Sequence, residues 1–271
     1  MSMALLKKPL SRIKTVSYTL RYMAGKPIGN DRMHVLVACM PKSGSSFLTR
    51  AIGGLPAFRV ASIVQGYDRN EQELSELALL RFHSCNYATQ NHVRYSQPVE
   101  QLMGDFNLTP LVLTRDIHDV VVSMRDHLRK VSRTWPLAYV PADLPERPDV
   151  EVDMFVADMM VPWYLNFLMC WRQCPDAVWV RYEDLADDPN RTVRYLARCL
   201  DLHVSPSDVD RAVAAAQKTE LKTRNVGGRG RGRDLTMDVK TRISDLAAYY
   251  SDVSESDPLL KKLIQESVFD G

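Results

Sequence analysis

The sequence predicts an α/β protein: a central parallel sheet flanked by helices, with a P-loop-like anion-binding loop after the first strand. Three observations carry this. Residues 34–40 (HVLVACM) form a short apolar run that stops at Pro41, passes through Lys42-Ser43-Gly44-Ser45-Ser46 and enters a helical pattern at Phe47. Residues 111–114 form a second such run and lead into a helix over Ile117–Lys130. Residues 177–180 form a third, followed by Arg181-Tyr182-Glu183-Asp184-Leu185. Continuous apolar runs mark strands buried on both faces. Strand, small-residue turn and helix in succession make the βα unit of α/β folds.

The remaining elements follow in chain order. Residues 1–33 form a basic segment in which Lys7, Lys8, Arg12, Lys14, Arg21, Lys26 and Arg32 face only Asp31. Leu10, Ile13, Val16, Leu20 and Met23 recur there at helical spacing. Two readings stand: a surface helix packed on the domain, or a basic amphipathic helix making peripheral contact with an anionic membrane. The domain proper is expected over 34–271. Helices are predicted over 71–81, 152–172, 191–200, 207–218 and 237–250. The proline-rich stretch 136–148 reads as a loop with the character of a lid. The aromatic and methionine run from Met154 to Trp171 reads mainly as core, with part of it available to line an apolar pocket.

Composition narrows the function classes. The 271 residues are 45% hydrophobic and 25% charged, with 35 basic and 33 acidic side chains and a net charge of +2. So even a balance gives no reason to expect a nucleic-acid partner and makes any anion site a local cluster. The five cysteines show neither C-x-x-C pairs nor zinc-type spacing, so no metal is expected. Cys170 and Cys174, one helical turn apart, read as reduced core residues. A reducing, cytoplasmic setting is the expectation, and no apolar run is expected to reach the length of a membrane span.

Two segments can carry chemistry. In Pro41-Lys42-Ser43-Gly44-Ser45-Ser46, a loop of small residues before a helix aims backbone N–H groups and the positive end of the helix dipole at one spot. Such a spot suits phosphate or sulfate. Lysine and hydroxyls add to it. The lysine precedes the glycine, unlike the Gly-Lys-[Ser/Thr] of a Walker A loop, which argues against a P-loop nucleotide kinase. A plain turn is the alternative. In Arg115-Asp116-Ile117-His118-Asp119-Val120-Val121-Val122-Ser123, the arginine sits just past a strand, where ligands gather in open α/β sheets, and can clamp a phosphate with two parallel bonds. The alternative is an arginine paired with Asp116 or Asp119.

Taken together, these motifs resemble those of sulfotransferases that use 3′-phosphoadenosine 5′-phosphosulfate (PAPS). That family carries Pro-Lys-Ser-Gly-[Thr/Ser]-[Thr/Ser]-[Trp/Phe] after its first strand, matched by Pro41 to Phe47, and Arg, seven residues, then Ser after a middle strand, matched by Arg115 to Ser123. Tyr182-Glu183-Asp184-Leu185 and the glycine- and arginine-rich stretch 227–232 fit as well. The resemblance implies a phosphosulfate-binding loop in which Lys42, Ser45 and Ser46 hold the 5′-phosphosulfate with backbone donors from Ser43 and Gly44. It implies that Arg115 and Ser123 hold the 3′-phosphate, with Tyr182, Arg229, Gly230 and Arg231 at the nucleotide. Phe47 stands where many members have tryptophan. The arginines of 227–233 are expected to repel one another until an anion arrives, leaving the stretch mobile without nucleotide; a solvated basic linker is the alternative.

Transfer to a hydroxyl, or to an amine, requires a base. The resemblance implies His92 in that role, with Lys42 countering charge on the leaving oxygen. His83 or a carboxylate stands as the rival base, while His118 and His127 read as surface or supporting histidines. The acceptor is expected to be a small molecule or carbohydrate. The rival from another class is a catalytically silent nucleotide-binding or membrane-peripheral protein.

Overall fold

The computed structural model describes residues 7–25, 28, 32–64, 72–132, 138–219 and 229–250. Four parallel strands, β1 (His34–Cys39), β2 (Tyr87–Asn91), β3 (Leu108–Thr114) and β4 (Val178–Arg181), form one sheet in the order β2-β1-β3-β4. His34 pairs with Tyr87 on one side of β1 and Leu108 on the other. All of β1 is buried, because alternate side chains enter opposite cores. Val35, Val37 and Cys39 join Leu111 and Leu113 beneath α2 (Ser45–Gly53), α8 (Pro189–Cys199) and α9 (Pro206–Lys218). Leu36, Ala38 and Met40 join Val112 beneath α5 (Ile117–Lys130), α6 (Asp149–Trp171) and α10 (Met237–Ala248). After β2 the chain passes over β1 to reach β3. The direction of winding therefore reverses between β1 and β3, and in such sheets the crevice beyond the strand ends at that point receives ligands.

The three apolar strands lie where the sequence places them. β3 begins earlier than expected because Pro110 reads as a breaker. Its pairing with β4 starts only at Leu111, so at Pro110 the strand has a neighbour on one side, where a missing N–H costs little. β2 was not anticipated from pattern, since Thr89, Gln90 and Asn91 look like loop residues. Its outer edge is covered by a short parallel contact: Ala61 N–H donates to Ala88 C=O and Ala88 N–H to Arg59 C=O, both at 2.9 Å. α3 (Glu76–Phe82) starts at the Ser75 cap, whose hydroxyl accepts from Ala78 N–H, rather than at 71, which lies outside the described residues. α4 (Gln97–Phe106) and α7 (Tyr182–Asp187) are additional short helices.

α6 overturns one expectation. Its length and mean hydropathy reach those of a membrane-spanning helix, although half of its most apolar window is buried inside the fold. Met160, Tyr164, Phe167 and Trp171 are buried in the core, Trp171 Nε1–H donates to Val93 C=O at 2.9 Å, and Asp153 pairs with Arg125 of α5. These contacts make it the core helix of this face. All five cysteines are free thiols, with Cys174 buried and Cys170 half-buried. Part of the proline-rich stretch is described. There Leu144 and Pro145 are buried in a 3-10 turn, held by Arg129 donating to the carbonyls of Pro145 and Arg147.

α1 (Lys7–Met23) packs with its tyrosines inward. Tyr18 meets His83 edge-on at 4.7 Å between ring centres, and Tyr22 lies 5.2 Å from Phe106. Val16, Leu20 and Met23 point outward, so the aliphatic stripe of this helix is not its packing face.

Candidate active site

The site is built by the segments that leave the carboxyl ends of β1, β2, β3 and β4. After β1, Lys42 and Gly44 both take left-handed backbone angles, φ +66° and +82°, which turns the chain sharply into α2. Only glycine adopts this conformation at little cost, and space also demands it at position 44: a Cβ there would come within 2.8 Å of the Tyr182 ring. Gly44 is the N-cap of α2 and supplies no side chain to it. Phe47 N–H turns back to Gly44 C=O at 3.1 Å, while the N–H groups of Ser45 and Ser46 stand at the positive end of the helix, where an anion is favoured. Ser43 uses its donors differently from expectation. Both its N–H and its hydroxyl turn back to Met40 C=O, at 3.3 and 2.5 Å, closing the turn. Ser45 is buried, Ser46 is half-buried, and Phe47 packs against the α2–α8–α9 core.

Arg115 leaves β3 and is nearly fully buried, at 3% exposure. Its Nη1 donates to Lys42 C=O at 2.9 Å, its Nη2 stands 3.6 Å from Asp119, and its guanidinium lies over the Tyr182 ring at 4.1 Å. The pairing with Asp119 and the approach to the lysine loop thus occur together. Along α5, Asp119, Ser123 and His127 follow at four-residue intervals and share one face. Each is buried. Ser123 lies between a carboxylate that meets Arg115 and a histidine that meets Lys42.

From sequence alone that histidine reads as a surface or supporting group. In the fold Lys42 Nζ stands 3.3 Å from His127 Nδ1. Burial, then Arg115, pushes the Lys42 ammonium down to about 8, with Asp126 pulling the other way. Burial, then Lys42, pushes His127 down to about 4. A neutral imidazole is the form that can accept from an ammonium.

The glycine–arginine stretch docks on the start of α5. Asp119 receives Gly230 N–H at 3.0 Å on one oxygen and Gly232 N–H at 2.8 Å on the other. Gly232 has no room for a side chain: a Cβ would stand 2.3 Å from that of His118. The arginines do not repel one another as expected, because Arg231 pairs with Asp126 at 2.6 Å and Arg229 with Asp187. Residues 227 and 228 lie outside the described residues.

His92 follows β2, next to the end of β1. Its Nδ1 lies 2.9 Å from Cys39 C=O. A carbonyl only accepts, so Nδ1 carries the proton and Nε2 keeps its lone pair. Nε2 stands 3.5 Å from the Gln90 amide nitrogen, and the Gln90 carbonyl accepts from Ser46 at 3.0 Å. Burial, then Lys42, lowers the His92 pKa, against the pull of the Cys39 carbonyl. The rival His83 is placed elsewhere. Its backbone carbonyl meets His34 Nε2 at the start of β1, at the other end of the sheet. Sequence alone gives Gln90 no role of its own; its place two residues before His92 is the signal that could have found it. Asp119 likewise reads from sequence only as a partner for Arg115.

This arrangement agrees with the family comparison. The family described as sulfotransferase domain matches residues 32–242, and the chain belongs to that sulfotransferase family. Its fold is similar to that of mouse sulfotransferase SULT7A1, solved in complex with PAP, at 13% identity and a TM-score of 0.59 over 85% of this chain and 88% of that one. It is also similar to sulfotransferase STF9 from Mycobacterium avium, at 12% identity and a TM-score of 0.52 over 89% and 81%. No curated protein matches the chain in sequence.

Proposed function

We propose that the chain transfers a sulfuryl group from PAPS to a hydroxyl of a small molecule or carbohydrate, with an amine as the lesser alternative. The observation that carries this reading is the Arg115–Lys42 contact: the buried Arg115 guanidinium donates to the backbone carbonyl of half-buried Lys42, which joins two basic residues from separate segments at the β1/β3 crevice. The donor set fits a nucleotide with phosphate groups at both ends. Lys42 and the first-turn N–H groups of α2 hold the 5′ side. Arg115 and Ser123, beside the 229–231 stretch and Tyr182, hold the 3′-phosphate. That phosphate distinguishes PAPS from ordinary adenine nucleotides.

In the transfer, the acceptor oxygen bonds to sulfur as its O–H bond breaks, and the bond from sulfur to the 5′-phosphate oxygen breaks. Lys42 offsets the charge that gathers on the departing oxygen, where a fixed cation acts most strongly. His92 takes the acceptor proton on Nε2. The Gln90 amide nitrogen, 3.5 Å from Nε2, gives up that lone pair as the acceptor arrives, while the Gln90 carbonyl accepts from Ser46 of the anion loop.

Incubation with radiolabelled PAPS and a panel of hydroxyl, amine and carbohydrate acceptors tests the reading. Label transferred to a hydroxyl acceptor is the expected result. Binding of 3′-phosphoadenosine 5′-phosphate (PAP) without transfer to any acceptor would instead support the silent nucleotide-binding protein. Neither binding nor transfer would overturn both.

A further inference from the structure

We infer that α1 seats the protein on an anionic lipid surface. The inference rests on how this helix divides its residues. Tyr18 and Tyr22 hold it to the domain through His83 and Phe106, and it lies against α3. The opposite side carries Val16, Leu20 and Met23, spaced four and three residues apart, with 58%, 64% and 79% of their surface exposed. Residues at that spacing form a single stripe. A lone exposed leucine needs no explanation, but a continuous aliphatic stripe on a helix that already has an aromatic packing face does.

Charge selects the occupant. The helix sequence contains Lys7, Lys8, Arg12, Lys14 and Arg21 and no acidic residue, although the whole chain is balanced to +2. A second copy of the same helix would bring like charges together and is disfavoured on that ground. An anionic bilayer accepts both features. Aliphatic side chains enter the boundary between headgroups and acyl chains while basic residues meet the lipid charge, as in helices that lie in the interfacial plane. The basic composition of the helix and its exposed aliphatic residues therefore favour the same kind of surface. The seat does not depend on the acceptor or on the sulfuryl donor.

The test is co-sedimentation of the full chain with vesicles at near-physiological salt. One set is pure phosphatidylcholine and the other carries about 30% phosphatidylglycerol, enough to give a negative surface. Binding to the anionic vesicles alone is expected. Leu20→Ser with Met23→Ser should weaken that binding roughly tenfold by removing inserted apolar surface. Arg21→Glu should weaken it further and steepen its loss with salt. The three positions are exposed, and an unchanged unfolding temperature verifies that the variants fold. Equal binding to neutral vesicles, no binding to either set, or full binding by the double serine variant would overturn the inference. A concentration-dependent dimer abolished by Leu20→Ser, without vesicle binding, would assign the stripe to a second copy and overturn it too.

Discussion

The guanidinium of Arg115 stands 4.1 Å from the centre of the Tyr182 ring, and the other side of this contact reaches Gly44, where even a Cβ would touch the same ring. One side chain from the start of α7, directly after β4, therefore joins the segments after β1 and β3. A cation held against an aromatic face gains about 0.5–2 kcal/mol, more when water is excluded. Tyr182→Phe should keep the contact and leave PAP affinity within about twofold, whereas Tyr182→Leu should weaken it roughly tenfold. Calorimetric titration with PAP measures both, and equal affinities for the two variants would remove the ring from the account.

Arg115 should account for the choice of nucleotide. The wild-type chain is expected to bind PAP far more tightly than AMP, and Arg115→Ala should erase most of that difference, at a cost of roughly 2–5 kcal/mol by truncation. Titrations of both nucleotides against both proteins decide it. An undiminished preference in the variant would place the 3′-phosphate elsewhere.

Asp119 fastens the glycine–arginine stretch to α5 through two backbone N–H groups. Hydrogen bonds to a charged acceptor are worth about 1.5–3 kcal/mol each. Asp119→Ala should raise hydrogen exchange over 229–234 and weaken PAP binding, since the loop would no longer be held beside Arg115. Gly232→Ala should do the same by a different route, because its Cβ cannot fit against His118. Unchanged exchange in both variants would show that the loop is held by other contacts.

The pH profile follows from two displaced titrations. His92 is held below its ordinary 6.5 by burial and then by Lys42, so its neutral, proton-accepting form persists to lower pH. Lys42 is lowered to about 8 by burial and then by Arg115, so its charge is lost as pH rises through that value. The profile of kcat/KM for PAPS should therefore be a bell, with an acid limb below 6.5 and an alkaline limb near 8. Bound anion favours charged Lys42, which should shift the alkaline limb of kcat upward. His92→Ala should remove the acid limb and lower turnover roughly 10²–10⁴-fold. Lys42→Arg should abolish the alkaline limb in the activity that remains, because guanidinium stays charged. An acid limb above 6.5 in the wild type would contradict the His92 assignment.

His127 should act on the reaction through Lys42. Its Nδ1 accepts from the ammonium, and its pKa of about 4 keeps it neutral across the working range. His127→Leu removes the acceptor and should lower kcat roughly tenfold, the equivalent of one charged hydrogen bond, with a smaller effect on PAP affinity. His127→Gln should recover part of the rate. Steady-state kinetics of the pair make the comparison, and equal losses in both would reduce the role to packing.

The strands were legible where pattern and burial coincide. β1, β3 and β4 sit on both cores, so their apolar runs announced them, and α5 matched from Ile117 to Lys130 because its ends carry clear signals, Asp116 capping Asp119 N–H at one of them. β2 was hidden because its polar residues are buried by cover from residues 59–61 and by use in the site, neither of which is a local property. Spacing and strand ends mark the segments carrying Lys42 and Arg115, and the family resemblance adds Tyr182.

What spacing could not supply was the direction each side chain takes. Local sequence sets backbone geometry such as the left-handed turn at Gly44, because that preference acts within a few residues, whereas Lys42 takes the same angles against its own preference. The partners are separated widely along the chain: Lys42 with His127, His92 with Cys39, Asp119 with Gly230 and Gly232. Only closure of the sheet brings them within a hydrogen bond of one another. Tertiary packing likewise turned the tyrosines of α1 inward and its aliphatic stripe out, since a helical repeat names the faces of a helix without naming which of them the rest of the fold will cover.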